Sequence, residues 1–146
     1  MRDAFGGTFL MYLMMIMVVV FVTFMAETLK YVQAYRVKNT IINYIEEYEG
    51  FNDVVIGLLE NENGYLDRTG YSGYTETGFT TKPQNTNDKY CSRGYCVILE
   101  YRNGKVGYYK VITNITLKFT EVLGVPPITV NIPGETRYVT LSGIDE

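Results

Sequence analysis

Cys91 and Cys96 are the two cysteines of the chain, and only Ser92-Arg93-Gly94-Tyr95 lies between them. Sulfurs at that separation suit a small disulfide loop around an Arg-Gly turn. Two free thiols of a reducing compartment are the other reading. A dithiol catalyst ranks behind both, because the spacing is not Cys-x-x-Cys. If the disulfide forms, the part of the chain that carries it lies outside the cytosol. Zinc would need further nitrogen or sulfur ligands, and the sequence contains no histidine. The same absence removes imidazole acid–base catalysis and the common catalytic triads.

The carboxylates offer little more. Glu121, Glu135, Asp145 and Glu146 could be set up as a pair for glycoside or metal chemistry, but nothing spaces them as a ligand loop. The segment Asp67–Glu76, DRTGYSGYTE, lacks the Asp-x-Asp-x-Asp pattern of a calcium loop. These groups read as solvated surface charge. Asn114-Ile115-Thr116 matches a glycosylation sequon but falls inside a predicted strand. A net charge of -3 without any Lys/Arg cluster excludes nucleic acid as a partner. The expectation is a protein that is not an enzyme and takes no cofactor and no metal.

The element that stands out is TFLMYLMMIMVVVFVTFMAE, Thr8–Glu27, which carries no charge before Glu27. At 1.5 Å per residue its apolar part spans about 28 Å, close to the hydrocarbon thickness of a bilayer. A signal peptide would have a basic start, a shorter core and a small-x-small cleavage box. Here Arg2 is offset by Asp3, and Phe24-Met25-Ala26 is a poor box. A domain this small has no interior wide enough to enclose such a helix. The segment must therefore meet lipid or other copies of itself, with Phe9, Met14, Val18, Phe21, Met25 and Glu27 as the candidate helix-packing residues. Glu27 marks the water boundary or pairs with a cation on a neighbouring chain.

No Pro or Gly interrupts the chain from Ala26 to Gly50. Leu29, Val32, Val37, Ile41, Ile45 and Tyr48 recur at helical steps, so one helix is predicted from about Phe5 to Tyr48 with Gly50 as its cap. Glu46, Glu47 and Glu49 oppose its dipole at that end, which calls for compensation from elsewhere. A short second helix follows, with Asn52 as N-cap, Val54, Val55, Leu58 and Leu59 on one face, and Gly64 as its end. Residues 65–90, rich in Tyr, Gly, Thr and Asn, read as loop and irregular edge strand.

Strand patterns dominate afterwards. Asn103-Gly104 between two apolar runs signals a hairpin with a type I′ turn. Ile115, Leu117 and Phe119 alternate with Thr116, Lys118 and Thr120 as a half-buried strand. VPPITVNIPGETRYVTL, Val125–Leu141, supplies a last strand pair or one long bulged strand, with Pro126-Pro127 closing the preceding loop and a turn or bulge at Pro133-Gly134. The fold class is α+β: a long N-terminal transmembrane α-helix with an amphipathic extension, followed by a small antiparallel β-sheet domain of about four strands. Residues 1–7 form a short leader or N-terminal start, 8–27 the transmembrane or filament-core helix, 28–49 the amphipathic extension and 50–146 the head domain.

This layout resembles the pilin-like proteins of type IV filament systems, most closely the TadE-like pseudopilins of the tight-adherence (Flp) pilus. The likeness lies in a very short leader ending in Gly6-Gly7, the apolar helix that starts at once after it, its extension to about Tyr48, and a small Cys-containing sheet domain. The tail Ile128–Val139, ITVNIPGETRYV, is similar to the closing strand of TadE-like domains. The resemblance implies a structural subunit, a minor pilin or pseudopilin, with the membrane and other pilin-like subunits as partners. It also implies a prepilin peptidase that cuts at Gly6 or Gly7. The family's Glu at the fifth mature position is absent, since Met11 or Tyr12 stands there according to the cut.

The implied location is the cell membrane, single-pass, with an extracytoplasmic C-terminal domain, or a surface filament. The cysteines favour that orientation, while Lys30, Arg36 and Lys38 beyond the apolar stretch lean the other way. The alternative function is a membrane-anchored binding or adhesion module that uses the loop at 65–90. Its candidate recognition residues are Tyr71, Tyr74, Arg93 and Tyr95.

Overall fold

The computed structural model describes residues 2–76, 78–117, 124 and 126–141. Helix α1 (Arg2–Glu47) has 46 residues and is about 69 Å long at 1.5 Å per residue. It runs through Gly6-Gly7 without a break, so the leader and the apolar stretch are one helix. Its end is a Schellman turn, in which the Gly50 N–H donates to the Ile45 carbonyl at 2.9 Å. The left-handed position falls on Glu49, at φ 51, one residue before the expected Gly50. Glu46 finds its compensation in the head, where its carboxylate accepts the Arg137 backbone N–H at 2.8 Å.

Helix α2 (Asp53–Glu60) starts as predicted, with the Asn52 side chain accepting the Val55 N–H at 3.0 Å. Only Val55 and Leu59 are buried, while Val54 and Leu58 remain 53% and 38% exposed. The i, i+4 pair alone fits the narrow contact of an eight-residue helix. Helix α3 (Tyr65–Thr69) occupies the start of the segment expected as loop. Gly64 is its N-cap rather than the end of α2, and Gly70 closes it in the left-handed conformation at φ 62.

Among the described residues the sheet has five antiparallel strands: β1 (Lys89–Ser92), β2 (Tyr95–Asn103), β3 (Val106–Leu117), β4 (Ile128–Glu135) and β5 (Val139–Thr140). The order is β1-β2-β3-β4, and β5 joins the same edge of β3 beyond the end of β4. The tail is thus neither a strand pair nor a single strand, but two pieces in line along β3. Pro133 makes no turn; it sits inside β4, an edge strand that tolerates a residue without an N–H. The expected alternation at Ile115–Thr116 is the continuation of β3, and its predicted extension over Lys118, Phe119 and Thr120 lies outside the described residues.

Each hairpin turn follows from its glycine. Gly104 and Lys105 join β2 to β3, with Asn103 opposite Val106 and Gly104 at φ 59. Lys105 does not share the positive φ, so glycine stands at the first turn position, as in type II′ rather than I′. The I′ signature, positive φ at both turn residues, belongs to Arg93 at 45 and Gly94 at 87, which join β1 to β2.

The core lies between α1 and the inner face of the sheet. Along β3, Tyr109, Val111, Thr113 and Ile115 point inward at the two-residue period of a strand. They meet Ala34, Val37, Ile41 and Ile45, one stripe of α1. Leu29, Val32 and Tyr48, expected on that stripe, are exposed, and Ala34 takes the first docked position because a small residue lets the helix approach the sheet.

Candidate functional site

The buried stripe of α1 begins at Ala34, and the apolar stretch that precedes it is exposed. Among the described residues this is the one helix long and apolar enough to cross a membrane, and none of its apolar window is buried. Phe9, Met14, Val18, Phe21 and Met25 are each more than half exposed. The Thr23 and Thr28 hydroxyls donate to the carbonyls of Val19 and Phe24, one turn back, at 2.8 and 2.9 Å. Each hydroxyl proton is therefore satisfied within the helix.

Glu27 closes the stretch in an ion pair within its own helix, accepting from Lys30 Nζ at 2.9 Å. Its second oxygen, Oε2, is covered and has no hydrogen-bond partner among the described residues. The partner found for Glu27 is therefore a residue of the same chain.

Helical spacing separates the predicted packing residues. Met14, Val18, Phe21 and Met25 follow one another by three or four and share a face. Phe9, five residues before Met14, stands about 140° away round the axis. The shared face continues through Leu29 and Val32, 70% and 40% exposed, at the same steps. Counted at 100° per residue, this stripe falls on the side of α1 roughly opposite the Ala34–Ile45 stripe that holds the head.

The head is fixed to the helix at several levels. Gln33 Nε2 donates to the Thr69 carbonyl of α3, and Thr113 Oγ1 donates to the Ala34 carbonyl at 3.2 Å. Gly134 of β4 lies so close that a Cβ there would meet Lys38 Cδ at 2.8 Å and Ile42 Cδ1 at 2.9 Å. The Arg137–Glu46 contact ties the last turn. These contacts fasten the helix to the head from Gln33 to Glu46.

Cys91 and Cys96 are a cross-strand pair of β1 and β2, and they form the disulfide that sequence reading favoured, with Cα atoms 4.1 Å apart. Their thiols are then closed to metals, although Glu76 lies beside them. The bond locks the base of the Arg93-Gly94 turn.

The candidate recognition residues divide. Tyr71 is only 6% exposed; its hydroxyl lies 2.8 Å from both the Gly94 and Asn114 carbonyls, and burial pushes its pKa up to about 12. Tyr95 is wholly buried, and its hydroxyl donates to Glu60. Both serve the core and have no face to offer a partner. Tyr74 is 61% exposed, and its backbone carbonyl accepts from Asn114 Nδ2. Arg93 is partly exposed and paired with Asp67. Asn114, the sequon residue, is itself buried in the fold.

Sequence reasoning missed a different aromatic surface. Tyr101, Tyr108 and Tyr138 meet on the outer face of the sheet, with ring centroids 5.4 to 6.1 Å apart. Tyr101 and Tyr108 are paired across β2 and β3, which hairpin register alone could have indicated; Tyr138, from the link between β4 and β5, carried no such signal. Of the acidic group weighed for catalysis, Glu135 ends β4 at the surface, while Glu121, Asp145 and Glu146 lie outside the described residues.

No family model, no curated protein and no solved structure matches this chain.

Proposed function

We propose that the chain is a structural, pilin-like subunit, a minor pilin or pseudopilin, whose apolar helix inserts in a membrane as a single pass. There it packs with like helices in a surface filament or in the complex that assembles one. The observation that carries this reading is the exposed stripe from Met14 to Val32 on the side of α1 away from the head. An anchor needs apolar surface only over about 30 Å of hydrocarbon. This stripe runs past Glu27 into the arm, where water would otherwise meet Leu29 and Val32, and a second helix laid along it would cover both. Large side chains rather than small-x-x-x-small pairs line it, which suits bundle packing over close dimers.

The disulfide supports an extracytoplasmic head. The resemblance to TadE-like pseudopilins rests on architecture, and the missing acid at Met11 or Tyr12 removes the intersubunit ion pair of that family. Packing of the stripe then carries the association by itself. Mass spectrometry of the N-terminus on membrane and sheared surface fractions tests the reading. A chain that starts at Gly7 or Thr8 in sheared material supports a processed filament subunit, and an uncut chain there supports assembly without cleavage. Confinement of an intact Met1 to membranes speaks against both.

That last outcome would favour a membrane-anchored binding module. The observation in its favour is the cluster of exposed Tyr101 and Tyr138 with half-buried Tyr108, with the large rigid contact area that recognition surfaces use.

A further inference from the structure

The contacts between β4 and α1 measure how far the head reaches toward the apolar stretch. Thr113, bonded to the Ala34 carbonyl, is the register partner of Ile132. Gly134 lies against Lys38 and Ile42, and the Arg137 N–H reaches Glu46. From Ile132 to Arg137 the chain advances about 17 Å at 3.3 Å per residue, and from Ala34 to Glu46 the helix advances about 18 Å at 1.5 Å per residue. The strand and the helix therefore run side by side, in the same direction and at the same pace.

Carried back from Ile132, this pace places the start of β4 along the helix. Ile128 lies four residues earlier, about 13 Å, which equals about nine helical residues before Ala34. That is the level of Met25, the last apolar turn before Glu27. Ile128 is 47% exposed, Pro126 and Pro127 before it are exposed, and Leu29 and Tyr31 on the helix beside this level are 70% and 47% exposed. An apolar rim of the head thus stands level with the end of the membrane-length segment.

We infer that the start of β4, at Pro127 and Ile128, docks on the lipid surface and lies in the headgroup layer of the bilayer that α1 crosses. The inference rests on the proposed membrane insertion. Headgroups extend several ångströms beyond the hydrocarbon on each side, so a residue level with Met25 cannot avoid them if residues 8–26 fill the core. The contacts that fasten the helix to the head keep it there. Such a contact limits the tilt of the head while the subunit resides in the membrane, and withdrawal of the helix into a filament breaks it.

The chain has no tryptophan, so single-Trp variants report without background. Full-length Ile128→Trp, Phe21→Trp and Tyr138→Trp are reconstituted in phosphatidylcholine vesicles with bromines high on the acyl chains, and emission is compared with unbrominated vesicles. Phe21→Trp and Ile128→Trp should both lose intensity, and Tyr138→Trp, at the far end of the head, should keep it. Pro127→Trp, at the exposed neighbour, repeats the measurement should Ile128→Trp not fold. Quenching at Phe21 without quenching at Ile128 or Pro127 overturns the inference and leaves insertion standing. Absence of quenching at Phe21 defeats insertion, and the inference with it.

Discussion

Gly94, in the turn closed by the disulfide, and Gly73, in the loop after α3, stack backbone on backbone: a Cβ on Gly94 would meet the Gly73 Cα at 2.3 Å. The contact anchors the Tyr-rich loop to the sheet. Around it the Gly73 N–H donates to the Arg93 carbonyl at 3.3 Å, and the Gly94 N–H to Thr75 Oγ1 at 3.0 Å. Gly94→Ala therefore meets backbone that cannot yield, at a positive φ that alanine also resists. It should destabilise the fold by about 2–3 kcal/mol. Gly70→Ala, with open space around its Cβ, shares only the left-handed penalty and should cost about 1 kcal/mol. Chemical denaturation of the full chain in detergent, followed by near-ultraviolet circular dichroism, separates the two.

The disulfide closes a short loop, which sets its worth. With six residues from Cys91 to Cys96, chain entropy assigns it about 2 kcal/mol. The Cys91→Ser/Cys96→Ser variant should lose about that much and remain folded, because strand register and the Gly73–Gly94 contact persist. Equal stability of the variant and the native chain would show that the hairpin is held without the bond.

Glu60 accepts hydrogen bonds from Tyr90 at 3.0 Å and from Tyr95, and so joins α2 to the first hairpin. Burial first, and Glu60 second, by its charge at Tyr90 and by its hydrogen bond at Tyr95, push the Tyr90 pKa up to about 12 and that of Tyr95 further in the same direction. In the unfolded chain both release their protons near 10. The folded state holds these protons more tightly, so the linked stability is complete below pH 10 and is lost as pH rises through about 12. Thermal melts of the full chain should be flat in this respect up to pH 10 and fall beyond it. Glu60→Gln removes the charge but keeps an acceptor, so phenolate absorbance should rise at lower pH than in the native chain, while burial keeps it above the free tyrosine range.

Much of this was legible in the chain because it follows from local rules. The apolar run, the helix through Glu47, the Asn52 cap and the disulfide each depend on a few neighbouring residues. What misled depended on contacts distant in sequence. Tyr71 looks like a surface tyrosine in a polar loop, yet its hydroxyl reaches the Gly94 and Asn114 carbonyls and turns it inward, and Tyr95, at the start of β2, points to Glu60 of α2. Gly50 looks like a cap, but the helix closes one residue earlier because Gly50 supplies the N–H that returns to Ile45. The Tyr101, Tyr108 and Tyr138 surface needs β4 and β5 laid in line along β3, which no local pattern announces.

The attachment of the head to the helix can be loosened at one atom. Gly134 has no positive φ, so alanine suits its backbone, and the obstacle is steric: Lys38 Cδ and Cε at 2.8 and 3.1 Å and Ile42 Cδ1 at 2.9 Å from the new methyl. Gly134→Ala should cost about 1–2 kcal/mol as the helix is pushed from β4. Lys38 is long and flexible, so Lys38→Ala in the same chain removes most of the clash. The double variant should then recover about 1 kcal/mol relative to the sum of the two single changes, a coupling that independent sites would not show. Hydrogen exchange at the Ile41 and Ile45 amides gives a local readout. Faster exchange in Gly134→Ala, reversed in the double variant, ties the loss to helix docking. Additive behaviour would place the cost elsewhere in β4 than at its contact with the helix.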